Sequence, residues 1–294
     1  MAESPDLADR TDCVDPVALD LAGLDALDAP VAPAPSLARR AWAATWPQLA
    51  ALGAALASWQ ALVLTGWKPR YVLPGPGPVL ARVWKDLLDS TLLTAASVTL
   101  RRAAVGYALA VGIGLAIGLL VVRGRIVRVA VESLTTGLQT MPTIAWFPLA
   151  ILLFGLSETA VLFVVVLGAA PSIANGLISG VDHTPRVLLR AGRVLGARGF
   201  AAYRHVIIPA ALPGFVAGLK QAWAFAWRSL MAGELLVIIA QRPSLGVRLQ
   251  YARETSDAEG LLAAMVVVLL IGIVVDAAVF ARLETAIKRR WGLL

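Results

Sequence analysis

The sequence predicts an all-α, polytopic membrane protein with six transmembrane helices, and three observations carry that prediction. Of its 294 residues 59% are hydrophobic and only 15% are charged, with a mean hydropathy of +0.76; soluble domains are about half apolar and a quarter charged. Apolar runs long enough for a bilayer core, about 20 residues each, recur at 41–67, 103–122, 133–157, 159–181, 215–239 and 260–281. Basic residues gather in alternate connections between those runs, the pattern that sets membrane orientation.

Residues 1–38 hold eight acids and one base, so they carry −7 while the rest of the chain carries +14 of the net +7. Without hydrophobic periodicity they read as a disordered cytoplasmic leader, followed by a membrane domain over 39–294. The leader lacks the basic start and short apolar core of a signal peptide. Arg39 and Arg40 then precede the first span as a retained anchor, since the following run is too long for a twin-arginine export signal. The only cysteine, Cys13, excludes an internal disulfide or a multi-cysteine metal site. A basic chain can suggest nucleic acid, but here the bases lie between apolar spans, where they face lipid and an acidic partner.

Arg39 and Arg40, then Arg123, Arg125 and Arg128, then the five arginines between Arg186 and Arg204, then Arg282, Lys288, Arg289 and Arg290 fall on one side of the spans. The positive-inside rule makes that side cytoplasmic, with both termini there. Lys68, Arg70, Arg82, Lys85, Arg101, Arg102, Arg242, Arg248 and Arg253 fall on the other side and count against the reading.

Between the first two spans, the prolines at 74, 76 and 78 stop a helix, and a period at Val79, Val83, Leu87 and Leu88 predicts a short amphipathic helix at the outer interface. In span two, Ala110, Gly114 and Gly118 are four apart and form a small-residue packing face. Span three contains Met141-Pro142 and Trp146-Phe147-Pro148; its prolines break the helical ladder and either line a cavity or make a packing kink. Span five holds Arg228 and Glu234, six apart and so on different helix faces. Intramembrane charges are expensive and need a cavity or a partner. Arg228, beside Trp227, suits a sulfonate, nitrate or carboxylate, with a structural ion pair or snorkelling as the alternative. Lys220 reads as snorkelling and Asp276 in span six as an interhelical hydrogen-bond partner.

The connection 182–208 reads as two short amphipathic helices, 185–195 and 200–208, meeting at Gly196, with Pro209 and Pro213 at the start of span five. Here Arg190-Ala191-Gly192, Leu195-Gly196-Ala197 and a Val-Ile-Ile-Pro-Ala-Ala-Leu-Pro end at 206–213 resemble the cytoplasmic loop of permease subunits of bacterial ABC importers, the binding-protein-dependent inner-membrane components. Arg190 and Gly192 replace the Glu and the second Ala of the family pattern. The stretches 73–76 (LPGP), 97–107 (SVTLRRAAVGY), 139–149 (QTMPTIAWFPL), 154–158 (FGLSE), 226–235 (AWRSLMAGEL) and 244–246 (SLG) narrow the resemblance to permeases for aliphatic sulfonates, taurine and nitrate, over residues 73–294.

That resemblance implies the type I importer permease architecture in the cell inner membrane. It implies alternating access for a small anionic solute, an aliphatic sulfonate or taurine, with nitrate, bicarbonate or a thiamine precursor as alternatives. The implied partners are a second permease copy, two cytoplasmic ATPase subunits that carry ATP and Mg, and an outer solute-binding protein. The coupling loop would comprise Arg190, Ala191, Gly192, Leu195, Gly196, Ala197, Pro209 and Pro213. Met141, Trp146, Phe147, Trp227, Arg228 and Glu234 are the candidate translocation-path residues. The chain has no phosphate-binding Gly-x4-Gly-Lys-Ser/Thr loop, so it is not itself the ATPase. An enzyme would need clustered catalytic groups in the spans, yet both histidines, His183 and His205, sit in the loop. A secondary carrier or channel is the remaining different class; inverted repeats and proton-relay acids would favour it, and the sequence displays neither.

Overall fold

A computed structural model describes residues 37–121, 125–239 and 242–290; the acidic leader with Cys13 lies outside them. All regular structure among the described residues is helical. The chain divides into the units Met1–Ser58 and Trp59–Leu294, and the second carries the packed core.

After α1 (Leu37–Leu64), Trp59 Nε1 donates to the Pro74 carbonyl at 3.2 Å, which fixes the turn into α2 (Pro76–Leu88). The expected amphipathic helix is there, but its inward face is Val79, Val83 and Asp86, while Leu87 and Leu88 are exposed. Asp86 can be buried because Arg82 and Arg248 both pair with it.

Span two, α3 (Thr91–Val121), starts well before the apolar run at Ala103. It continues through Arg102 because that guanidinium is buried and paired, so its charge does not oppose burial. Its small face packs on span four, α6 (Glu158–Asp182): a Cβ on Gly114 would stand 2.7 Å from the Ala170 carbonyl oxygen.

Span three departs from expectation. Instead of one helix over 133–157 there are α4 (Arg125–Thr140), a 3₁₀ turn at Thr143–Trp146 and α5 (Phe147–Phe154), and the pair is bent by 97°. Pro142 removes an amide donor and disfavours a helical Met141, while Pro148 is tolerated in the first turn of α5. Among the described residues five helices are long and apolar enough to cross a membrane, or six if the bent pair counts as one.

A close backbone approach joins α6 to span five, which runs as one length over Phe200–Leu236 and includes α8 (Ile208–Leu236). A Cβ on Gly218 would lie 2.6 Å from the Gly176 Cα, and one on Gly214 would lie 2.7 Å from the Gly180 Cα. Two Gly-x-x-x-Gly faces thus meet backbone to backbone. Around them Val161, Val164, Ile173, Trp223 and Leu230 form the core. Helix α9 (Leu245–Glu254) precedes span six, α10 (Ala258–Val275), which passes through a π turn at Asp276–Ala281 into α11 (Arg282–Arg290).

Candidate functional site

The connection from α6 to span five folds as a short helix set on a glycine. Pro185 starts α7 (Arg186–Val194). Its inward side is Leu189 and Gly192, and a Cβ on Gly192 would stand 2.8 Å from Val206 Cγ2. Leu195 and Gly196 end it: Gly196 takes φ +82°, its amide donates to Arg193 O at 3.1 Å, and the Ala197 amide donates to Gly192 O at 2.8 Å. These two bonds form a Schellman terminus, which requires a left-handed residue at this position.

The crowded glycine of this connection is Gly192, whereas nothing lies within 4 Å of a Cβ on Gly196, whose positive φ ends the helix. One expectation changes here. The second short helix is not separate, because Phe200–Ala202 passes through a π turn at Tyr203–Ile207 directly into α8. Pro209 lacks the amide that would bond four residues back, and the backbone widens there into the π turn. Pro213 lies within α8 and does not open it.

The outward side of this connection is mixed in character. Val187, Val194, Leu195 and Phe200 are 72%, 87%, 85% and 80% exposed. Arg186, Arg190, Arg193 and Arg198 are exposed beside them, as is Ala191, and Ala197 is half-buried. Apolar side chains flanked by cations suit a groove with an acidic rim.

The candidate path residues fall into three settings. Trp227 and Arg228 line a groove of about 910 Å³ between α8 and α10, together with Pro213, Lys220, Gly272 and Asp276. Trp227 stacks on Trp223 with ring centroids 5.9 Å apart. Arg228 Nε donates to Ala224 O at 3.1 Å, and the guanidinium lies 4.8 Å from the Phe225 ring centroid. Lys220 reaches Asp276 across the groove at 3.2 Å, so it is an ion-pair partner, not a snorkelling side chain. Met141 is exposed at the break in span three and Trp146 is half-buried. Phe147 and Glu234 are fully buried, so neither faces a cavity in this conformation.

Glu234 is the centre of a polar node. Its carboxylate accepts from Arg102 Nη1 at 3.1 Å, from Thr99 Oγ1 at 2.9 Å and from the Gly246 amide at 3.1 Å. Thr99 Oγ1 accepts in turn from the Leu245 amide at 3.0 Å. Arg102 also pairs with Glu158, which Arg242 shares. A second polar set joins α4 to α6: Gln139 Nε2 donates to Ser172 Oγ at 2.9 Å, and Thr135 Oγ1 meets Asn175 Oδ1 at 3.0 Å. Sequence reasoning singled out Glu234 as a charge that needs a cavity or a partner but found none of its partners, and it missed the second set. The four-residue spacing of Thr135 and Gln139 was the available signal for the second.

Comparison with known proteins places these features in a family. The family model for the binding-protein-dependent transport system inner membrane component matches residues 108–288. The chain belongs to this family. A probable ABC transporter permease protein of Brucella melitensis is 32% identical over 235 residues, covering 80% of this chain and 91% of that protein. The protein named as the putative aliphatic sulfonates transport permease SsuC of Bacillus subtilis is 27% identical over 236 residues, covering 80% and 84%. The inward-facing methionine ABC transporter MetNI matches with a TM-score of 0.57 at 21% identity, over 67% of this chain and 96% of that one. At that identity the match concerns the fold, and it agrees with the all-α importer-permease architecture read from the sequence. This permease is therefore an inner-membrane transport component of an ABC system.

Proposed function

We propose that this permease forms the translocation path for a small organic anion, an aliphatic sulfonate or taurine, and that it is driven by separate ATPase subunits seated on the connection 182–208. The observation that carries the coupling reading is α7 itself. A helix pinned by Gly192 against Val206 presents Val187, Val194 and Leu195 outward beside arginines, and an apolar ridge of that kind is held out of water when it fills a partner's groove. With one such ridge per chain, two permease copies would engage two ATPases that carry ATP and Mg. The positive-inside pattern would put this loop and both termini in the cytoplasm, leaving α2 and α9 to face a solute-binding protein outside.

The path would run along the Met141–Trp146 break and the Trp227–Arg228 groove, and bordering that path would make the bent backbone and the guanidinium tolerable at membrane depth. Support for a sulfonate rests on Arg228, whose planar fork matches an oxyanion, and on the likeness to SsuC. Uptake of radiolabelled taurine and ethanesulfonate into proteoliposomes holding the full complex and its binding protein is the test. Nitrate-dependent stimulation of ATP hydrolysis with no response to either sulfonate would overturn the substrate assignment.

The loop itself yields a graded expectation. A non-glycine residue at φ +82° costs about 1–2 kcal/mol, and asparagine tolerates that region better than alanine. Gly196→Ala should therefore lower the ratio of uptake to ATP hydrolysis by roughly tenfold, at about 1.4 kcal/mol per decade, with Gly196→Asn milder. Equal effects of Asn and Ala would show that the left-handed stop is not what the coupling needs. By contrast, removing residues 1–35 while keeping Arg39 and Arg40 should leave uptake at the wild-type rate, because the segment is acidic and lacks an apolar face. Loss of assembly in that truncation would make the leader a docking element.

A further inference from the structure

At the end of α6 away from the coupling loop, a hollow of about 390 Å³ is lined by Val98, Arg101, Arg102, Val105, Glu158, Leu162, Arg242 and Pro243. Glu158 and Asp182 are the two ends of α6, so roughly 36 Å of helix separates this hollow from the loop at 1.5 Å per residue. Three arginines line it against one carboxylate. Glu158 Oε1 alone accepts from Arg102 Nε and Nη2, at 3.3 and 3.2 Å, and also from Arg242 Nη1. Arg102 is 7% exposed and spends its Nη1 on Glu234. The Arg101 side chain, on the same helix, makes no ion pair or hydrogen bond among the described residues. Arg242 uses one nitrogen and is half exposed.

We propose that this hollow is an oxyanion-binding site whose ligand is held by Arg101 and Arg242. The charge balance points that way. With Glu234 committed to Arg102, a single carboxylate faces two further guanidiniums, so one negative charge is missing. Guanidinium forks favour planar or trigonal oxygen pairs, as found in sulfonates, carboxylates and phosphates. The walls are Val98, Val105 and Leu162, and apolar walls weaken water's competition for a charge-assisted bond. Glu158 keeps Arg102 and Arg242 in place and limits the site to one anionic group. Two sources share this chemistry: a free sulfonate on its way into the transporter, or the phosphate of an anionic lipid. The first source rests on the proposed transport of a sulfonate, whereas the site itself does not.

The test uses the assembled transporter in a nonionic detergent, with melting followed by intrinsic fluorescence while sodium methanesulfonate replaces chloride at constant ionic strength. A parallel arm places the complex in nanodiscs of phosphatidylglycerol or phosphatidylcholine. A saturable rise in melting temperature with methanesulfonate is expected, lost in Arg101→Gln and Arg242→Gln, partly kept in Arg101→Lys, and unaffected by Arg282→Gln on α11, where the arginine is exposed. If only phosphatidylglycerol stabilises, and does so through Arg101, the site stands with lipid as its ligand. A shift that persists unchanged in Arg101→Gln, or no shift in either arm, overturns the proposal. Failure of sulfonate uptake alongside an Arg101-dependent shift would refute the transported solute and leave this site intact.

Discussion

Gly218→Val is expected to prevent the permease from assembling. A Cβ at this position would lie 2.6 Å from the Gly176 Cα, 3.0 Å from the Ser172 carbonyl oxygen and 3.3 Å from the Gly176 amide nitrogen. All three are backbone atoms of α6, so no side-chain rotation relieves the contact. The helices would have to part, and the neighbouring approach of Gly214 to Gly180 would be lost with it. Overpacking typically costs about 1–3 kcal/mol where a core can adjust; here the cost should reach or exceed the upper end. In a bilayer no solvent-driven force restores the packing, because lipid tails are as apolar as the side chains. Gly112→Val is the control, since nothing lies within 4 Å of a Cβ there. Size-exclusion profiles and melting curves of detergent-extracted protein report the outcome. If Gly218→Val gives the wild-type profile and melting temperature, the backbone contact between α6 and span five is wrongly placed.

The same glycines show what the sequence could and could not reveal. Hydropathy located the spans, and the four-residue spacing of Ala110, Gly114 and Gly118 correctly marked a packing face on α3, against Ala170, Ile173 and Leu177. The pairs Gly176–Gly180 and Gly214–Gly218 carry the same spacing, but spacing shows only that a face is small, not what approaches it. Proline chemistry signalled trouble in span three, yet the 97° bend depends on where α5 packs: Phe147 inserts beside Gly233, whose Cβ would lie 2.8 Å from the Phe147 ring. In the loop, the exposed Val194 and Leu195 and the helix stop at Gly196 follow local chemistry. The inward lock of Gly192 on Val206 is a contact fourteen residues apart in sequence, beyond the reach of a helix period.

Charges were the least legible feature, because a side chain's partner lies far along the chain. Arg82, Arg102, Arg242 and Arg248, four of the bases that count against the positive-inside reading, show this. Each is paired: Arg82 with Asp86 and Asp257, Arg102 with Glu158 and Glu234, Arg242 with Glu158, and Arg248 with Asp86. The Arg101 side chain has no such partner, which is why the proposed oxyanion site relies on it beside Arg242.

The largest effect of a single charge should come from Glu234→Ala. Glu234 is completely buried and satisfies three donors: Arg102, Thr99 and the Gly246 amide. Truncation leaves all three without this acceptor, and Arg102, itself buried, keeps only its bonds to Glu158. Removing one partner of a buried ion pair costs about 3–5 kcal/mol, enough to unfold a large fraction of a marginal domain. Glu234→Gln should fall between the two: it keeps an acceptor oxygen for Arg102, but its new N–H₂ group faces donors from Thr99 and Gly246. The node ties the end of α8 to the first turn of α9, so the damage should begin there. Hydrogen exchange at the Leu245 and Gly246 amides, which donate to Thr99 and Glu234, should accelerate in Glu234→Ala more than exchange within the α6–α8 interface. Wild-type melting together with wild-type protection of those two amides would mean that the buried carboxylate holds neither span five nor α9 in place.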